Sequence, residues 1–432
     1  MRFASSRKQA SLASLSKALR NGIAPDGGLY LPQGPPPAAF DGLDPDLSLA
    51  RFGASFLHPF FVGDAIEAEL SAICDEALDF PSPITMPDKA RPALRALELF
   101  HGPTGAFKDF GARFLMACFD RLATGRPLTV LAATSGDTGG AVGCAAEGRS
   151  SVSAVILFPK GRVSAFQERQ LGCWGDNVLA IEVDGDFDDC QRLVKAAFDD
   201  VSLSAEHQLT SANSINFGRL MPQLAYMAHA ALRVFAETGE KPGFVVPSGN
   251  LGHGYAVLLA RALGLPVGPV VLATNENRTL KEWSQTGEYR PRPSVRTLAN
   301  AMDVGDPSNF ERLAALPPHA RDVGVELVTD NQIKARIAAE YQASGYVWCP
   351  HSATAVEAWS RLPEAARRDR PWIAAATAHP YKFAEVIEPI IGRRIEPSPP
   401  LAAILNRPVR KTRISASLWS LAGALKERAV AA

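Results

Sequence analysis

The 432-residue sequence has no net charge to offer a polyanion: 45 basic residues balance 45 acidic ones. No summed field recruits nucleic acid or an anionic membrane surface. No apolar run approaches the ~18 residues that a spanning helix needs. No apolar stretch follows the N-terminal basic residues, which argues against secretion. The six cysteines, at 74, 118, 144, 173, 190 and 349, form no C-x-x-C pair. Neither a zinc site nor a disulfide framework is indicated, so a reducing, cytoplasmic setting is expected, with the cysteines in the core. The eight histidines show no metal-ligand spacing, and no metal is expected.

An apolar content of 47% and a charged content of 21% describe a globular chain long enough for two or three domains. The first twenty residues are basic and serine-rich, which superficially matches a transit peptide. Leu12, Leu15 and Leu19 at helical spacing instead predict a folded amphipathic start. Short apolar runs then recur, each followed by a glycine-bearing turn and a helical pattern. Leu128–Ala133, Val152–Phe158, Val178–Val183, Phe244–Val246, Val270–Ala273 and Trp372–Ala376 read as strands. Their alternation with helices predicts an α/β fold with mainly parallel sheets. Five prolines in residues 32–45 and four in 81–92 suggest linkers, setting off an N-terminal unit over 1–90. The weakly periodic stretch 276–330 reads as an excursion near an active site.

Between Phe107 and Phe110, Lys108 stands where a loop gives way to an apolar helix. An apolar setting disfavours a charged amine and lowers its pKa. The commonest use of such a neutral amine is an imine with a carbonyl compound. On local grounds a first-turn lysine with its head in water is the simpler account. Two glycine-rich turns change the balance. Ser135-Gly136-Asp137-Thr138-Gly139-Gly140 and Gly249-Asn250-Leu251-Gly252-His253-Gly254 each follow a strand and open a helix, the second from about Tyr255. Backbone N–H groups and the helix dipole suit such turns to anions. The second is neither a Walker loop nor a dinucleotide fingerprint, so ATP and NAD are not favoured. Asn213, Ser214 and Arg219 add amide, hydroxyl and guanidinium groups that fit a second phosphate. An imine lysine with a phosphate cradle matches pyridoxal 5'-phosphate.

These motifs closely resemble the threonine synthase family of fold-type II (tryptophan synthase β-like) pyridoxal phosphate enzymes. The likeness runs nearly end to end: Asp26-Gly27-Gly28-Leu29-Tyr30-Leu31-Pro32, His101 to Gly111, Thr134 to Gly139, Asn300 to Arg312, Pro350-His351-Ser352-Ala353-Thr354-Ala355, and Thr377 to Phe383. It implies two open twisted, mainly parallel sheets flanked by helices, plus an N-terminal helical or mixed unit. The catalytic region would be 91–432, with a smaller subdomain at about 110–225 and a larger one from 91–109 and 226–432. Lys108 would be the Schiff-base lysine and proton shuttle, and Phe107 would pack the cofactor ring. Gly249, Asn250, Leu251, Gly252 and His253 would cradle the cofactor phosphate, and Thr377 would meet the pyridine nitrogen. Ser135, Gly136, Asp137 and Thr138 would take the substrate carboxylate, with Asp137 also near the ring's phenolic oxygen. Asn213, Ser214 and Arg219, assisted by Lys160, would hold the substrate phosphate. Leu251 and His253 depart from the usual Gly-Asn-Phe-Gly-Asn turn, and a charged His253 would add attraction for phosphate. Gly105 replaces a larger apolar residue.

The resemblance implies conversion of O-phospho-L-homoserine and water to L-threonine and phosphate by a soluble monomer or homodimer. A serine/threonine dehydratase or a β-replacing synthase would share Lys108 and the glycine turns without needing Asn213, Ser214 and Arg219. A phospho-lyase that releases phosphate without making threonine is nearer. A non-catalytic scaffold on the same fold would have lost the lysine or the phosphate turn, and both are present.

Overall fold

The computed structural model describes residues 1–34 and 37–431. Pro35 and Pro36 of the first proline-rich stretch therefore lie outside the described residues; Pro37–Phe40 forms a single 3-10 turn. Among the described residues no helix is long and apolar enough to cross a membrane.

Two main sheets organise the chain. The larger runs in the order Gly324–Leu327, Val270–Thr274, Gly243–Pro247, Trp372–Ala376, Leu94–Glu98, Ile84–Thr85. Its strands pair parallel except at the Ile84–Thr85 edge, which is antiparallel. That edge lies within the second proline-rich stretch, where missing N–H donors are tolerated because no further strand pairs there. The smaller sheet is parallel throughout, in the order Thr412–Ser415, Val178–Asp184, Val152–Pro159, Leu128–Ala133, Leu209–Thr210. All six expected strands are present, with ends moved by no more than one residue. They are legible because helices cover both faces, so nearly every side chain is buried and the runs are continuously apolar.

Three expectations need correction. Thr412–Ser415 pairs with Val178–Asp184, so the chain's end belongs to the smaller sheet and not to the larger unit assigned to 226–432. The helix after the second glycine turn is Gly252–Ala262, three residues earlier than expected, because Leu251 takes a left-handed conformation (φ 64°) and starts it. Leu12 is 53% exposed and precedes the helix Leu15–Asn21, whose Leu15 and Leu19 are buried.

The N-terminal residues are folded against the rest. Phe3–Ser5 pairs antiparallel with Tyr30–Pro32, and the helix Leu49–Phe61 turns Phe52, Phe56, Phe60 and Phe61 inward with no exposure. Each such ring contributes about 1.5–3 kcal/mol by leaving water. Their cluster is continuous with the helices Lys108–Leu122 and Phe217–Thr238; Phe52, for example, stacks on His229 at 4.5 Å. Five cysteines are buried and Cys144 is half-buried, as expected for core thiols.

Candidate active site

The lysine loop is held by the larger sheet. Phe107 N donates to Thr377 O at 2.9 Å, and His379 N donates to Gly105 O at 2.9 Å, so residues 105–107 run beside the segment leaving Trp372–Ala376. Gly105 permits this at φ 67°. Lys108 then opens the helix Lys108–Leu122 with its ammonium 4.4 Å from the Phe107 ring centroid. Burial, reinforced by Arg219, pulls the Lys108 pKa down to about 8.

One cavity gathers Phe107, Lys108, Asp137, Ser214, Arg219, the turn Gly249–His253, and Thr377. Eleven of the sequence-derived site residues therefore meet, although they span 270 positions of chain. Ser135, Gly136 and Thr138 sit beside Asp137 at the start of the helix Asp137–Ala146, and Asn213 adjoins Ser214, but none of these four lines the cavity. Lys160 is not brought in: it is about half exposed and faces Asp184 at 3.7 Å.

The cavity is rich in buried cationic groups. Arg219 is 2% exposed, has no carboxylate partner among the described residues, and donates only to the Ala212 carbonyl at 2.6 Å; its Nε is unpaired. Burial lowers its pKa to about 10, which leaves it charged at neutral pH. Among the described residues Asp137 is the one carboxylate lining the cavity. Burial opposes its charge, yet Lys382 and the Gln167 amide hold its pKa below the usual value. His253, whose charge would have added attraction for phosphate, is held neutral: burial, then Lys108, lowers its pKa to about 3. Its ring stacks on Phe107 with centroids 4.4 Å apart, and both ring nitrogens lack partners.

Several functional side chains carried no assigned role in the sequence. Lys382, within a quoted motif, is fully buried and reaches Asp137. Gln167 links Asp137 to Asn300 and carried no signal. His351 and Ala301-Met302 line the cavity, which places the 276–330 excursion at the site. Asn309 and Ser308 hold Asn250 by its carbonyl and side chain. Arg312, fully buried, donates to Ser214 O and Ile215 O.

A pyridoxal-phosphate-dependent enzyme model matches residues 89–374, a threonine synthase N-terminal model matches 2–78, and a threonine synthase C-terminal model matches 352–422. The chain belongs to the threonine synthase family. The Haemophilus influenzae threonine synthase is 38% identical over 383 residues, 88% of each chain. The crystal structure of the Escherichia coli threonine synthase superposes with a TM-score of 0.91 at 34% identity, over 99% of this chain and 100% of that one. The pyridoxal phosphate-bound structure from Brucella melitensis gives 0.89 at 32%, over 99% of both.

The residues present fit the cofactor of this threonine synthase family. A Cβ on Gly249 would lie 2.8 Å from the Met302 Cα, so the turn tolerates no side chain there. The helix Gly252–Ala262 points its N-terminus at the cavity, where unpaired N–H groups and the dipole favour a phosphate. A buried amine with a pKa near 8 beside an aromatic ring meets the needs of a carbonyl cofactor.

Proposed function

We propose that the protein converts O-phospho-L-homoserine and water to L-threonine and inorganic phosphate, with Lys108 as the proton-moving base. One observation carries the reading: a buried amine of lowered pKa shares a cavity with a phosphate-type turn and an unneutralised buried arginine. The turn 249–253 and Arg219 are two anion sites, and the reaction brings two phosphates, one on the cofactor and one on the substrate.

When bound, pyridoxal phosphate withdraws electrons from the substrate's α-carbon and so makes its α- and β-protons acidic. Lys108 Nζ, neutral at a useful fraction because it is buried, removes the α-proton, passes it on and, neutral again, removes a β-proton. Arg219 and Ser214, with Asn213 beside them, hold the γ-phosphate while its bond to carbon breaks, placing positive charge where negative charge grows. The helix start Ser135–Thr138 receives the carboxylate and fixes the α-carbon against Lys108. Lys108 then delivers one proton to the γ-carbon that phosphate has left; water adds its hydroxyl at the β-carbon and gives its other proton to the departing phosphate, and Lys108 returns the second proton to the α-carbon. Approach of the five-stranded unit to the six-stranded one would exclude water until phosphate has left.

The decisive measurement supplies O-phospho-L-homoserine and follows both phosphate release and the amino-acid product. Threonine equal to phosphate supports the reading; phosphate with a keto acid and no threonine replaces it with a phospho-lyase. Lys108→Ala should lose both turnover and the visible absorbance of the lysine-bound cofactor.

A further inference from the structure

His351 lies in the first turn of the helix Pro350–Ser360, is 4% exposed, and lines the cavity with Lys108, Asp137 and Thr377. Its two ring nitrogens do different work. Nε2 accepts the Ala301 N–H at 3.0 Å, and an imidazole nitrogen that accepts carries no proton. The proton of the neutral ring must then be on Nδ1. Nδ1 is buried and has no hydrogen-bond partner. Burial lowers the pKa of this histidine to about 4, so the ring is neutral and the tautomer is fixed by Ala301. A buried N–H donor without an acceptor is rare in a finished structure, because it has lost water and gained nothing. The protein groups around it do not supply the acceptor: Asp137 receives Lys382 and Gln167 on Oδ1 and makes no hydrogen bond to Nδ1, and the Phe383 ring packs edge-on at 4.9 Å.

We propose that His351 is a binding residue whose Nδ1–H donates to an anionic oxygen of a small molecule held beside Asp137. This inference rests on the proposed function, which brings anionic oxygens from two sources to that side of the cavity. One is the ring oxygen of the cofactor and the other is the carboxylate of the amino acid. The phosphates are placed elsewhere, at the turn 249–253 and at Ser214–Arg219. The same ring thereby couples two events. It grips Ala301 in the loop that also places Met302 against Gly249, and it reads the ligand's charge through its other nitrogen.

Two near-isosteric substitutions separate those jobs. His351→Asn puts an amide N–H where Nδ1 stands and abandons Ala301. His351→Gln puts a carbonyl oxygen where Nε2 stands and abandons the ligand. Pyridoxal 5'-phosphate is titrated into each apoprotein by absorbance, and L-threonine and the carboxylate-free L-threoninol are titrated into each holoprotein. His351→Gln is expected to weaken one arm by about ten- to a hundredfold, the scale of one charge-assisted hydrogen bond. His351→Asn should stay within about threefold of wild type in that arm. Weaker cofactor uptake with an altered visible spectrum names the ring oxygen. Unchanged uptake with weaker L-threonine and unchanged L-threoninol binding names the carboxylate. Wild-type behaviour of His351→Gln in both arms overturns the inference, and so does a His351→Asn defect as large as the Gln one, which would reduce His351 to holding Ala301. Failure of the wild-type protein to take up the cofactor would instead sink the proposed function.

Discussion

Lys382 sets its ammonium 3.0 Å from a carboxylate oxygen of Asp137, with no part of the lysine side chain exposed. The two arrive from different sheets: Lys382 follows Trp372–Ala376 of the larger one, and Asp137 follows Leu128–Ala133 of the smaller. All three ammonium protons are used, since Nζ also donates to Thr104 O at 2.8 Å and Gln170 Oε1 at 2.7 Å. The pair, with the bond to Thr104, therefore pins the start of the helix Asp137–Ala146 to the lysine loop.

Removing one partner of such a pair strands the other. Lys382→Met should destabilise the apoprotein by about 3–5 kcal/mol, because Asp137 is left as an uncompensated buried charge. Lys382→Met with Asp137→Asn should recover much of that loss. Urea unfolding of the two proteins checks it, and equal losses would show that the ion pair is not the cause.

Lys108 makes stability depend on pH with a definite sign. Its folded pKa of about 8 lies below its ordinary value of 10.5. Below about pH 8 both states carry the proton, and the folded state bears the full penalty of a buried charge. Between pH 8 and pH 10.5 the unfolded chain binds more protons, so stability rises with pH. The rise attributable to this group is about 3 kcal/mol. Lys108→Met should accordingly be more stable than wild type at pH 7, with the advantage shrinking towards pH 10. Denaturation of both apoproteins across that range is the check; a constant difference would place the lysine head in water.

What the sequence reveals of this fold depends on where each element finds its partners. The core strands show because every residue of a run such as Leu128–Ala133 is apolar and buried. Leu94–Glu98 hides because it contains two charges, yet it lies inside the larger sheet. Arg95 is neutralised by Glu237, and Glu98 accepts from Thr85 and Tyr346, partners up to 248 positions away. The site divides in the same way. The glycine turns declare themselves through local chemistry, and Lys108 stands out only when it is read together with them. His351, Gln167 and Lys382 act through contacts with residues such as Ala301 and Asp137, 50, 30 and 245 positions distant, and their neighbours in the chain do not disclose those partners. Lys160 shows the complementary side: a basic residue on a flexible stem looks useful in sequence, and here it is half exposed beside Asp184 and outside the cavity.

Arg219 supplies a test of which phosphate it serves. Its guanidinium shares the cavity with the turn 249–253, but it is carried by the helix Phe217–Thr238 next to Ser214. Arg219→Ala should raise KM for O-phospho-L-homoserine by at least about tenfold, the value of one hydrogen-bonded charge, while moving the cofactor's dissociation constant much less. Steady-state kinetics and cofactor titration give the two numbers. Equal effects would reassign Arg219 to the cofactor phosphate.

Gly111 tests the same guanidinium without deleting any functional group. It lies inside the helix Lys108–Leu122, where alanine should stabilise by about 1 kcal/mol on propensity alone. A Cβ there would stand 2.7 Å from Arg219 Nε and 2.8 Å from the Arg219 carbonyl oxygen. The side chain can swing, but the carbonyl belongs to the backbone of the helix Phe217–Thr238 and cannot yield without moving that helix. Gly111→Ala should therefore destabilise by about 1–3 kcal/mol, the usual result of overpacking. If Arg219 holds the substrate phosphate as proposed, KM for O-phospho-L-homoserine should rise as in Arg219→Ala. Adding Gly111→Ala to Arg219→Ala should then raise KM little further, since the group that it displaces is already gone. A double variant whose KM rises by the product of the single effects would show that Gly111 acts on the site by some other route.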